Sequence, residues 1–197
     1  AGERIGLYYT CVNSYLQADE LAYILNNSES RVLITSTDKL EVARQALEQA
    51  PQVECVLVVG GGGQQDETVY DYAATVSGYS TTPVDEEQLG TSMLYSSGTT
   101  GRPKGILRPL PDNKPEQQLP IFSFLDQLWS YRDDMVYLSP APLYHSAPQA
   151  ATGLTIRRGG TVIVMERFDA EQYLDLIAQH QVTHTQLVPT MFSRMLK

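Results

Sequence analysis

The chain has 197 residues, 42% of them hydrophobic, and a formal net charge of −9. That length supports one sizeable domain with its own core. The acidic balance argues against nucleic acid as a partner, because duplex affinity rests on clustered Lys and Arg, and no apolar run approaches the roughly twenty residues of a membrane helix.

In chain order, residues 5–12 read as a strand and 13–19 as a polar turn. Residues 20–27 form a helix with Leu21, Ile24 and Leu25 at helical spacing. A short strand over 31–35 is followed by a helix over 38–49, with Leu40, Ala43 and Leu47 on one face. Residues 53–59 are almost continuously apolar, which predicts a strand covered on both faces. This alternation suggests βαβ units. Cys11 and Cys55, the only cysteines, read as small buried thiols, and an intracellular, cytoplasmic setting is the default.

The glycines at 60–63 fail the dinucleotide fingerprint, because Gln65 stands where the third glycine belongs, and they read as a surface connection. A weak helix over 66–77 and a polar loop over 78–90 lead into a strand over 92–95. The chain then reads Tyr95-Ser96-Ser97-Gly98-Thr99-Thr100-Gly101-Arg102-Pro103-Lys104-Gly105. Its glycines permit positive φ and close approach of backbone to a ligand. Successive N–H groups in such turns form a concave anion nest, the hydroxyls of Ser96, Ser97, Thr99 and Thr100 add donors, and Lys104 adds a compact positive charge. The chemistry is that of a phosphate cradle. It is not a Walker A loop, because neither Gly98 nor Gly101 is followed at the required interval by Gly-Lys-Ser/Thr. Pro109 and Pro111 oppose a following helix, so the local expectation is strand, loop, strand.

Residues 109–120 are polar and Pro-rich and predict a mobile segment. Beyond them a helix over 121–129, a strand over 135–138, a helix over 147–157 and a strand over 160–165 are expected. Asp169 is placed to cap a helix running to about residue 179. A strand over 183–188 and a helix opening at Pro189 complete the chain. His145 follows a strand, where ligand-facing loops of α/β sheets emerge. His180 and His184 do not make a zincin pair, since Gln181 stands where its Glu belongs, and no metal-ligating set is assigned. Gly-x-Ser-x-Gly fails around Ser97, which removes the main serine-hydrolase case.

The segment at 95–105 resembles the phosphate-loop signature of the adenylate-forming superfamily, which holds acyl-CoA synthetases, luciferases and the adenylation domains of peptide synthetases. Ser139-Pro140-Ala141-Pro142-Leu143-Tyr144-His145-Ser146-Ala147-Pro148 resembles that family's Pro-Leu-Tyr/Phe-His segment. Val12-Asn13, Glu20-Leu21, Ile24-Leu25, Ser28 and Leu33-Ile34 are similar, more loosely, to the stretch upstream of the loop in acyl-CoA synthetases.

The resemblance implies an α/β fold, a layered sheet with flanking helices, and an acid–CoA ligase. Such an enzyme joins a carboxylate, here of the fatty type, to ATP to give acyl-AMP and pyrophosphate, then forms the CoA thioester; ATP, Mg²⁺ and CoA are its cofactors. Ser96, Ser97, Gly98, Thr99, Thr100, Gly101 and Lys104 are implied to hold phosphates, and Tyr144 and His145 to line the substrate pocket; no residue here is assigned a catalytic role. Family segments for adenine, ribose and the catalytic lysine of the C-terminal domain are missing. Residues 1–197 therefore look like part of the AMP-binding N-terminal domain, inactive by itself and prone to self-association. A stand-alone phosphate-binding module and a non-catalytic interaction domain remain as alternatives.

Overall fold

The structure, a computed structural model, describes residues 2–61, 66–96, 102–117 and 119–197. The chain forms two compact units, Ala1–Asp112 and Asn113–Lys197.

The first unit runs through β1 (Tyr8–Tyr9), α1 (Ala18–Asn27), β2 (Val32–Ser36), a 3₁₀ turn into α2 (Leu40–Leu47), β3 (Cys55–Val59), β4 (Val69–Asp71), α3 (Tyr72–Ser77), β5 (Thr91–Ser92), β6 (Leu94–Ser96) and β7 (Lys104–Ile106). Strands β2, β3 and β4 form a parallel sheet in that order, with Leu33 opposite Val56 and Val56 opposite Val69. Those side chains share a face with Val58 and receive Ala22 and Leu25 of α1 and Ala46 of α2. The two helices fit because their small and branched residues recur on one side.

Residues 53–59 were expected to be covered on both faces, and here the structure differs. Val56 and Val58 are buried, whereas Val32, Ile34, Val59 and Tyr70 on the opposite face are 53%, 58%, 46% and 41% exposed. Cys11 and Cys55 are free and half-buried rather than fully enclosed. The strand expected over 5–12 is only two residues long. Gly6 turns at φ +70 and its N–H goes to the Gln88 carbonyl, so the parallel ladder with β5 begins only at Tyr8. The helix expected over 66–77 gives way to β4 followed by α3. The Asp66 carboxylate accepts the N–H groups of Thr68 and Val69 and makes a turn there, and Asp71 then caps α3 by accepting from Ala74.

The second unit contains α4 (Pro120–Trp129), β8 (Val136–Ser139), α5 (Ser146–Arg157), β9 (Thr161–Val164), α6 (Ala170–His180), β10 (His184–Thr185) and α7 (Pro189–Met195). Its sheet is parallel, in the order β10-β8-β9. Tyr137 and Met135 pack with Ala151 of α5 on one face. Leu138 packs with Tyr173 of α6 and Met195 of α7 on the other. The chain thus winds to opposite faces of the sheet after β8 and after β10. Asp169 caps α6 by accepting the Gln172 N–H at 2.9 Å, and Ser130 and Gln181 adopt left-handed backbone at the ends of α4 and α6.

Candidate nucleotide and substrate site

Strands β6 and β7 pair antiparallel, with Leu94 opposite Ile106, Tyr95 opposite Gly105 and Ser96 opposite Lys104. This is the strand, loop, strand arrangement expected from the two prolines beyond Ile106. Ser97, Gly98, Thr99, Thr100 and Gly101 lie outside the described residues. Ser96 and Lys104 flank them as exposed partners in one register. The pairing brings a hydroxyl, which can donate or accept, and an ammonium, which only donates, to the same end of the hairpin.

Beneath that end the packing is close. Gly105 faces Tyr95, Met93 and Asn27, and a Cβ built on it would stand 2.5 Å from Met93 Cε and 3.1 Å from Asn27 Oδ1. The Tyr95 hydroxyl donates to Asn27 Oδ1 at 2.7 Å. Burial raises the Tyr95 phenol above its ordinary pKa; a hydrogen bond with Ser28 opposes the rise and Tyr23 adds to it.

In the second unit, His145 is the N-cap residue of α5 and follows the loop from the C-terminal end of β8, the central strand. Chains leave β8 and β10 toward opposite faces, so the carboxyl end of this strand pair is a switch point, where open α/β sheets bind ligands. His145 is exposed and Tyr144 half-buried, their rings 4.2 Å apart between centroids. Gln149 and Thr152 follow His145 at intervals of four and three and continue its stripe along α5. The side-chain nitrogen of Gln149, the hydroxyl of Thr152 and, beyond β10, the side-chain oxygen of Gln186 are buried without a hydrogen-bond partner. Such atoms are costly unless something occupies them. Sequence reading singled out none of these three: the spacing from His145 was a signal for Gln149 and Thr152 only, and Gln186 had none. Tyr137, deep in the same face, has its phenol pushed up to about 12, chiefly by burial.

Among the described residues no three His, Cys, Asp or Glu come together to hold a metal ion. Magnesium that arrives with ATP is held mainly by phosphate and water oxygens and needs few side-chain ligands. No helix among the described residues is long and apolar enough to cross a membrane.

The model of the AMP-binding enzyme family matches residues 1–197. A crotonobetaine/carnitine–CoA ligase of Salmonella paratyphi B is 26% identical over 196 residues, covering 95% of this chain and 37% of that protein. The chain thus spans 37% of the length of that curated relative. ATP-bound MatB from Rhodopseudomonas palustris superposes with a TM-score of 0.71 at 25% identity, over 96% of this chain and 36% of that one. The N-terminal domain of FACL13 from Mycobacterium tuberculosis gives a TM-score of 0.73 at 23% identity, over 96% and 46% of the two chains. With its whole length inside the family model and its α/β layers shared with these structures, the chain belongs to the AMP-binding, adenylate-forming enzyme family.

Proposed function

We propose that the chain is part of the N-terminal domain of an ATP-dependent acid–CoA ligase, and that residues 95–105 grip the β- and γ-phosphates of ATP while a carboxylate attacks the α-phosphorus. The bond formed is carboxylate oxygen to phosphorus, and the bond broken frees pyrophosphate. The CoA thiol then displaces AMP. The observation that carries this reading is the β6–β7 hairpin, which sets Ser96 opposite Lys104 at the ends of a Gly/Ser/Thr loop. Ser97, Gly98, Thr99, Thr100 and Gly101 supply the remaining donors, and Lys104 offsets the charge of the leaving group. Tyr144 and His145 border the acyl side, with Gln149 and Thr152 continuing that wall. A fatty acid is the substrate class proposed, on the resemblance at 95–105 and 139–148.

By this reading the chain alone binds polyphosphate but does not complete adenylation, because the adenine, ribose and lysine segments of the family are not among its residues. Exchange of labelled pyrophosphate into ATP, with a panel of fatty and aromatic acids, gives no more signal than a Lys104→Ala chain. A clear carboxylate-dependent exchange would show that the chain is a complete adenylating unit.

A further inference from the structure

Helix α1 has two working sides. Ala22 and Leu25 are buried in the core of the first unit. Tyr23 and Asn27, four apart and so on one face, turn instead to the hairpin. The Tyr23 hydroxyl donates to the carbonyl of Pro103 at 3.1 Å, and its ring lies under the Arg102 guanidinium at 5.3 Å from the centroid. Asn27 accepts from the Tyr95 hydroxyl at 2.7 Å and closes over Gly105. One foot of the loop is thus held at Tyr95 and the other at Arg102, Pro103 and Gly105. The helix is itself tied down, since Asn26 donates its side-chain amide to the carbonyls of Ala22 and Gln49.

We propose that Tyr23 and Asn27 are positioning residues of the phosphate loop. They touch no phosphate; the β6–β7 ladder sets the strand separation, and Tyr23 and Asn27 fix the direction of the hairpin, from which Ser96 and Lys104 project, relative to α1. This rests on the reading of residues 95–105 as the polyphosphate grip. Tethers to a packed helix order the feet at Tyr95 and at Arg102 to Gly105 before an anion arrives, so that share of the ordering cost does not fall on binding.

The test uses the 197-residue chain and inorganic pyrophosphate with magnesium, followed by calorimetry, together with amide exchange read by mass spectrometry. Tyr23→Leu and Asn27→Leu each weaken pyrophosphate binding by about tenfold and speed exchange at residues 104–106 by about as much. Exchange at Val56 and Val58 is unchanged, which separates a local tether from general loosening. Tyr23→Phe keeps the ring under Arg102 and loses less. Asn27→Asp keeps the acceptor for the Tyr95 hydroxyl and restores the protection at residues 104–106. Lys104→Ala is the control for the underlying reading. If Lys104→Ala weakens binding while both leucine variants bind and exchange as the unchanged chain does, the positioning role is wrong and the grip stands. If the unchanged chain does not bind, or Lys104→Ala binds equally well, the grip is wrong and the positioning role falls with it.

Discussion

Arg158, the residue after α5, donates to the carboxylate of Asp126 at 2.6 Å and to Asp133 at 3.4 Å. Asp126 is 6% exposed, on the last turns of α4. Its pairing with Arg158 joins the C-terminal ends of the two helices. Asp133 is largely solvated, so its share is small. Removing the arginine takes a charged partner from a buried carboxylate, which costs more than the intact pair contributes. Arg158→Leu therefore lowers unfolding stability by about 2 kcal/mol, a figure reduced from the fully buried case because the guanidinium is partly solvated. Denaturant titration measures it, and a loss below about 0.5 kcal/mol would show the pair to be no more than a surface contact. Nothing in the sequence announces this pair, since 32 residues separate its members. Lys104 and His145 stood out as candidate site residues because each sits in a long ordered motif. Tyr23 and Asn27 were not, because the bonds that give them a role span 80 and 68 residues.

Elements were legible where one period dominates a long stretch. The helix at α6 shows this, with Asp169 at its cap and branched residues at helical spacing behind it. Asp169→Ala removes the acceptor for the Gln172 N–H and costs about 1 kcal/mol, with Asp169→Asn largely restoring it; equal losses in the two variants, measured by thermal or denaturant unfolding, would assign the effect to something other than the cap. Strand lengths were less legible. Residues 5–12 carry an apolar strand pattern, yet Gly6 turns aside and leaves a two-residue ladder. The continuous apolar run at 53–59 implied two covered faces, and only the face toward α1 and α2 is covered. An apolar residue states that burial is favourable, and the tertiary arrangement decides whether burial occurs.

At the scale of the molecule, that uncovered sheet face is matched by others. Ile121, Phe124 and Leu128 line one side of α4 at 54%, 58% and 59% exposure, and on α7 Phe192 is 52% exposed, with Leu196 just beyond it at 88%. Met195, in contrast, packs inward against Leu138 and Tyr173, so only part of the apolar stripe of α7 is available. Large apolar surface left exposed marks contact sites, and the expected outcome is reversible self-association of the chain. Sedimentation across a concentration series checks it; a monomer at high micromolar concentration that binds no apolar dye would contradict it.

The polyphosphate grip at residues 95–105 is tested most directly by the phosphorus resonances of ATP, titrated with the chain in the presence of magnesium. The account predicts that the β and γ resonances shift and broaden well before the α resonance, and that Lys104→Ala reduces the effect by about tenfold at equal concentration. Resonances that stay unchanged at millimolar ATP, or that respond identically to the Lys104→Ala chain, would contradict it.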